Sequence, residues 1–186
     1  MKKSQIRKSI TEQRSQISFA ELQALSLKLL EQFKSLDLSN VINLHIFLPI
    51  AEKKEPDTFL FIDWLQENHP EINIIVPRAD FETSLMTHHV YPGRSGLSKN
   101  LFNILEPSGD HLHQGEVDLV LIPMLAFDLK GFRVGYGKGF YDRFLQGITT
   151  LKVGLCLYPP IEAIEDITAH DVKLDLCLTP NEIFSF

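Results

Sequence analysis

The sequence of 186 residues holds only two cysteines and one tryptophan. Two cysteines cannot supply the multi-bridge framework on which small secreted domains rely. Each sits between leucines, in Leu155-Cys156-Leu157 and Leu176-Cys177-Leu178, so buried, reduced thiols and a reducing compartment are expected. Excess positive charge is also missing. Eighteen Lys and Arg stand against 24 Asp and Glu, a net charge of -6, which argues against a general nucleic-acid binder. No apolar run approaches the roughly 20 residues of a spanning helix. The first residues lack the apolar stretch of a secretory signal. The expectation is a cytoplasmic protein engaging neither nucleic acid nor membrane. A transit peptide is the less favoured reading of the basic start Lys2, Lys3, Arg7, Lys8 and Arg14. There is no Gly-x-Ser-x-Gly elbow for a serine nucleophile. His111-x-His113 has no third ligand near it in sequence, so zinc is not expected.

What the chain does have is glycine in one place. Residues 131–143 read Gly-Phe-Arg-Val-Gly-Tyr-Gly-Lys-Gly-Phe-Tyr-Asp-Arg, with four of the ten glycines at 131, 135, 137 and 139. A strand-like run, Val117 to Phe127, precedes this segment, and a helix-like run, Phe140 to Gly147, follows it. Glycine lets backbone N–H groups converge without a Cβ in the way, and such a concavity at a helix start attracts phosphate. Neither standard phosphate loop fits, however. A Walker A pattern would need glycine where Phe132 stands and a hydroxyl where Gly139 stands, and the dinucleotide fingerprint would need glycine at Phe140. Lys138 and Arg133 add positive charge suited to a polyphosphate. Asp142 beside them would repel phosphate unless a divalent cation joined the two, so Mg²⁺ with ATP is the ligand expected here. The alternative is a glycine-rich turn in which Asp142 caps the helix and pairs with Arg143.

The rest of the chain alternates helix and strand. Ser4 to Gln16 reads as a helix. Ser18 and Glu21 have capping-box spacing ahead of a second helix with Leu22, Leu25, Leu29, Phe33 and Leu36 on one face. Strands are expected at 41–49, 72–77, 117–123, 151–158 and 174–178, and a helix capped by Asp57 through Asn68. Residues 84–105 are ambiguous, with a possible strand at 85–91. This pattern predicts a single α/β domain over residues 1–186: a three-layer α/β/α, Rossmann-like arrangement with a mostly parallel sheet and a helical N-terminus. Ligands of such sheets lie beyond the carboxyl ends of the strands, where the glycine segment should fall.

Other candidates are open to two readings. Asp171 or Asp175 could complete a metal site or be solvated loop carboxylates. Glu52-Lys-Lys-Glu55-Pro-Asp57 could open at the same sheet edge or be a charged turn. Arg78 could meet an anion or be structural. His88, His89 and His170 read as surface or loop residues, and Trp64 as core.

Taken together these residues resemble the 5-formyltetrahydrofolate cyclo-ligase family. The match is carried by Pro123-Met-Leu-Ala-Phe-Asp128 followed by Gly131 to Leu145. It extends to Lys3-x-x-Ile-Arg7, Phe47-Leu48-Pro49, Glu55-x-Asp-Thr58, Val76-Pro77-Arg78, Glu106-Pro107 and His170-Asp171-x-x-Leu-Asp175. The resemblance implies ATP- and Mg²⁺-dependent conversion of 5-formyltetrahydrofolate to 5,10-methenyltetrahydrofolate, with release of ADP and phosphate through a phosphorylated formyl group. It implies nucleotide contacts by Lys3, Arg7 and Arg133, Val134, Gly135, Tyr136, Gly137, Lys138, Gly139, Phe140 and Tyr141. Folate contacts are implied for Leu48, Glu55 and Tyr136 to Phe140, metal ligation for Asp142 and Asp171, and catalytic roles for Lys138, Arg133 and Tyr141. The turn between Leu48 and Glu55 looks longer than in close relatives, leaving Glu52 as a competitor for Glu55. A monomer acting on small molecules is expected. The rival readings are an isomerase or transferase on a similar scaffold, which would bind phosphate without consuming ATP, and a binding module without catalysis.

Overall fold

Strands with apolar residues on both faces belong in the middle of a sheet, and 119–123 is the clearest case: its first four residues are buried. The computed structural model describes residues Met1–Phe186. In chain order the elements are α1 (Lys3–Ser15), α2 (Phe19–Lys34), β1 (Asn43–His45), α3 (Phe59–Asn68), β2 (Asn73–Asp80) and β3 (Leu85–Val90). Then come β4 (Leu97–Lys99), β5 (Leu105–Pro107), β6 (Leu119–Pro123), β7 (Ala126–Phe127), β8 (Arg133–Val134), α4 (Phe140–Leu145), β9 (Leu151–Leu155), β10 (Leu176–Leu178) and β11 (Ile183–Ser185).

The main sheet has seven strands in the order β11-β10-β9-β6-β1-β2-β3. The inner five are parallel, and the edges β3 and β11 are antiparallel. Numbered among themselves, the parallel strands run 2-1-3-4-5, a doubly wound order whose direction reverses between β1 and β6. The carboxyl ends of these two strands therefore diverge into a crevice, and this positions everything that follows.

Alternation along the strands divides the core. Leu44, Ile46, Leu119, Leu121, Val153 and Leu155 face α2 and α3, where Leu29 and Phe33 meet Phe61, Ile62 and Leu65. Val120, Ile122, Cys156 and Cys177 face the other way, against Leu145 of α4 and Leu174. That second face is covered by one short helix and irregular chain. Ile6 of α1 packs with Ala126, Val134 and Ile164 in a small third cluster. Both cysteines are buried and free.

The capping box of α2 is present: the Ser18 hydroxyl accepts the Glu21 N–H, and the Glu21 carboxylate accepts the Ser18 N–H. At α3, Asp57 accepts the Phe59 N–H at 3.1 Å, and the helix begins one residue after Thr58. β1 is shorter than the apolar run 41–49 because the chain leaves the sheet after Ile46, whose N–H still reaches Ile75. There the Thr58 hydroxyl donates to the Phe47 carbonyl and holds the departing segment. β2 is longer than expected because β3 folds back on it as a hairpin. The β4–β5 ribbon, the β7–β8 hairpin and β11 lack a sequence signal of their own length. Asp128 pins the β7–β8 hairpin by accepting the N–H groups of Lys130, Phe132 and Ile164. His88 and His89 correct the expectation of surface or loop residues: both lie in β3, and His89 is buried. Arg78 is structural, donating to the carbonyls of Pro107 and Gly109.

Candidate active site

The crevice between β1 and β6 holds a cavity of about 330 Å³. One wall is apolar, with Phe47, Leu48 and Ile50 after β1, Pro77 and Ala79 on β2, Phe81, Met86 and Leu105. The opposite wall is the glycine segment from Gly135 to Asp142, and Lys3, Arg7 and Asp171 close the remaining side.

Backbone geometry explains the glycines. Gly137 has φ +95° and Gly139 φ +71°, the left-handed region where a side chain costs roughly 1–2 kcal/mol. Gly139 is the residue that turns the chain into α4. A Cβ on Gly137 would stand 3.4 Å from the Arg7 guanidinium, so Arg7 lies directly over the loop, its Nε donating to the Gly135 carbonyl at 2.8 Å.

The charged groups meet in pairs. Lys3 Nζ contacts both oxygens of Asp171, at 2.5 and 2.6 Å. Arg133, nearly buried, donates from Nη2 to Asp142 Oδ1 at 2.6 Å and from Nη1 to the Val172 carbonyl. Asp142 is therefore paired with Arg133, not with Arg143, which instead donates to the Lys138 carbonyl at 2.7 Å. Lys138 itself is exposed and carries no ion pair, which leaves its ammonium open to an incoming anion.

Glu55 lines the cavity at 3 % exposure, whereas Glu52 is exposed and meets Asn103 and Lys99 away from it. Burial pushes the Glu55 carboxyl above the usual carboxylate range. The Ile50 N–H, the Tyr136 hydroxyl and the charges of Arg14 and Lys53 pull the other way. Lys53 Nζ lies 4.2 Å above the Tyr136 ring. Burial and the charge of Glu55 also raise both tyrosine hydroxyls, Tyr136 and Tyr141, above their ordinary range. The Tyr141 hydroxyl is buried without a hydrogen-bond partner in the protein.

Every residue expected at the site lines this cavity except Val134. Its side chain is fully buried against Ile6, Ala126 and Ile164, outside the cavity. The Val134 side chain thus belongs to the core beneath the hairpin, and only its backbone could take part at the cavity. Arg133 lines the cavity with its guanidinium engaged by Asp142 and Val172, leaving Lys138 as the loop's open cation. A residue that reading along the chain missed is Arg14, which is buried beneath Tyr136.

The fit of a divalent cation can be judged from the acids. No three His, Cys, Asp or Glu residues stand together as a metal centre, so a cation here would need oxygens from a substrate, as Mg²⁺ on a nucleotide has. Asp142 fits that pattern. Its Oδ1 is taken by Arg133 and the Val172 N–H, while Oδ2 has no hydrogen-bond partner. Asp171 fits it less directly, since both its oxygens are held by Lys3 and one also by Thr168.

The chain is similar to known proteins along its whole length. The model of the 5-formyltetrahydrofolate cyclo-ligase family matches residues 1–180. A Mycolicibacterium smegmatis protein named 5-formyltetrahydrofolate cyclo-ligase is 30% identical over 72% of this chain and 71% of its own. A Schizosaccharomyces pombe protein named "Probable 5-formyltetrahydrofolate cyclo-ligase" is 27% identical over 60% of this chain, which spans 63% of that relative's length. The solved structure of 5,10-methenyltetrahydrofolate synthetase from Aquifex aeolicus superimposes with a TM-score of 0.76 at 28% identity, covering 100% of this chain and 93% of that one. The chain belongs to the 5-formyltetrahydrofolate cyclo-ligase family.

Proposed function

We propose that this protein converts 5-formyltetrahydrofolate to 5,10-methenyltetrahydrofolate at the expense of ATP, in one cavity that holds both substrates. The observation that carries the reading is the division of the lining. An apolar wall with one buried carboxylate, Glu55, faces a glycine loop whose Lys138 ammonium is unpaired. The first suits a heteroaromatic ring with N–H donors; the second suits a polyphosphate.

In this account the formyl oxygen attacks the γ-phosphorus of ATP. A phosphorus–oxygen bond forms and ADP leaves. The folate N10 then attacks the activated formyl carbon and loses its proton. Phosphate departs with the original formyl oxygen, leaving the methenyl bridge. No protein nucleophile is needed. Lys138 neutralises the oxygens of the transferring group, and the backbone N–H groups at Gly137 and Gly139 orient it. Lys3 and Arg7 bring positive charge from α1, and Glu55, Leu48 and the 136–140 segment hold the folate. Mg²⁺, when bound by Asp142 and substrate phosphate oxygens, supplies charge neutralisation; Asp171 would join it on releasing Lys3. The buried free thiols suit a reducing compartment, and we place the enzyme, as a monomer, in the cytosol.

The test mixes protein, 5-formyltetrahydrofolate and Mg-ATP and follows the methenyl product by absorbance. Product that appears only with ATP is expected. Folded protein that binds ATP and forms none contradicts the reading.

A further inference from the structure

Arg14 is a buried charge without a carboxylate in contact. Its side chain is 2% exposed, in a setting where a guanidinium is costly unless firmly bonded. Nη2 donates to the Met124 carbonyl at 2.5 Å and Nη1 to the Tyr136 hydroxyl at 3.0 Å, while Nε has no partner. A charge kept under these conditions one side chain away from the cavity calls for a role there.

Two features give it one. Lys3, Arg7 and Arg14 lie four and seven residues apart on α1, within about 40° of one another around a helix of 3.6 residues per turn. That single face grips Asp171, the Gly135 carbonyl and the Tyr136 hydroxyl in succession. The chemistry of the last contact has only one direction. A guanidinium can only donate, so the Tyr136 oxygen is the acceptor and its own hydrogen is left for another acceptor at the cavity, which Tyr136 and Glu55 both line. Met124 follows β6 and Tyr136 belongs to the glycine loop, so one guanidinium also ties the strand end at the crevice to the loop.

We infer that Arg14 is a positioning residue for the folate wall: by holding Tyr136 through its hydroxyl it fixes how Tyr136 and Glu55 present their polar atoms to the bound ring. The inference rests on the proposed function for the identity of that ring. Arg14 touches no substrate itself. Its effect belongs to the folate side, because in the proposed function the nucleotide is met by the loop backbone and Lys138 and, from α1, by Lys3 and Arg7.

The experiment measures equilibrium binding of 5-formyltetrahydrofolate and, separately, of Mg-ATP by calorimetry for the wild type, Arg14→Met, Arg14→Lys, Tyr136→Phe and the double variant Arg14→Met/Tyr136→Phe. Losing a buried charged hydrogen bond should weaken folate binding by about tenfold or more, with Mg-ATP binding within about twofold of wild type. Arg14→Lys, which keeps the charge but not the fork, should recover part of the loss. The double variant should bind folate no worse than Arg14→Met alone, since the two act through one contact. Equal weakening toward both ligands, additive effects, or wild-type folate binding by Tyr136→Phe would overturn the inference. Tyr136→Phe removes a single oxygen, so this last outcome decides the matter even where Arg14→Met does not fold. A wild-type protein that binds no 5-formyltetrahydrofolate sinks the functional reading as well as this inference. A wild type that binds it, with variants showing no selective loss, sinks the inference alone.

Discussion

Lys3 and Asp171 stand 168 residues apart in sequence and 2.5 Å apart in space, closing one side of the cavity. The pair joins the first turn of α1 to the loop that leads into β10, so segments near the two ends of the chain meet at the cavity. Lys3 and the Thr168 N–H and hydroxyl hold the Asp171 carboxyl below the usual range against the opposing effect of burial. Lys3→Met should therefore weaken Mg-ATP binding and also lower the melting temperature by a few degrees. With the folded value depressed, the pair's contribution is present above the ordinary carboxylate value of 3.8 and is lost as pH falls below it. Melting curves for the variant and wild type should converge at acid pH. A constant difference across pH would detach Asp171 from the effect.

Lys138→Ala should reduce kcat by about 100-fold, the scale for removing one preorganised donor from a developing charge. Because Lys138 is exposed and pairs with no carboxylate, its stability should be unchanged. Steady-state kinetics beside a thermal melt tests both halves. Unchanged turnover would remove Lys138 from the chemistry.

Asp142→Asn should raise the Mg²⁺ concentration needed for half-maximal activity. It should also loosen Arg133, whose guanidinium loses its only carboxylate partner within hydrogen-bond distance. A magnesium titration at saturating ATP reads the first effect. A midpoint equal to that of the wild type would show that Asp142 serves Arg133 and not a metal.

Acid should destabilise the protein through histidine before it does so through carboxylates. His45 is fully buried with both ring nitrogens unpartnered, between His88 and the α4 residues Tyr141 and Phe144. Burial, then the neighbouring His113 and His89, lowers His88 from 6.5 to about 4, and burial, with His88 and His113, lowers His45 well below 6.5. The unfolded chain therefore binds these protons first, and stability falls as pH drops from about 6.5 toward 4. Glu55, with its raised value, acts in the opposite direction, but only near and above its ordinary value of 4.5. In His88→Phe the slope of melting temperature against pH between about 6.5 and 5 should be shallower than in wild type. Parallel slopes would exclude His88.

What could be read from the chain is what its physics keeps local. The Ser18–Glu21 box, the glycine loop and the period of α2 each involve neighbours a few residues apart. The choice between Glu52 and Glu55 was open in sequence because it turns on one backbone angle. Lys54 has φ +48° after the short helical turn Ala51–Lys53, and this reversal sends Glu52 outward and Glu55 into the cavity. Arg14 gave no signal beyond its charge, since its partners Met124 and Tyr136 lie 110 and 122 residues away. The Lys3 partner of Asp171 was hidden for the same reason, 168 residues away. β11 was missed because three residues pairing at an edge carry no period of their own.

The central claim is that ATP activates the formyl oxygen itself. The direct measurement uses 5-formyltetrahydrofolate labelled with ¹⁸O in the formyl group and weighs the phosphate released in a single turnover. The account predicts that the label moves into phosphate, one atom for each methenyltetrahydrofolate formed. Unlabelled phosphate accompanying the methenyl product would contradict it.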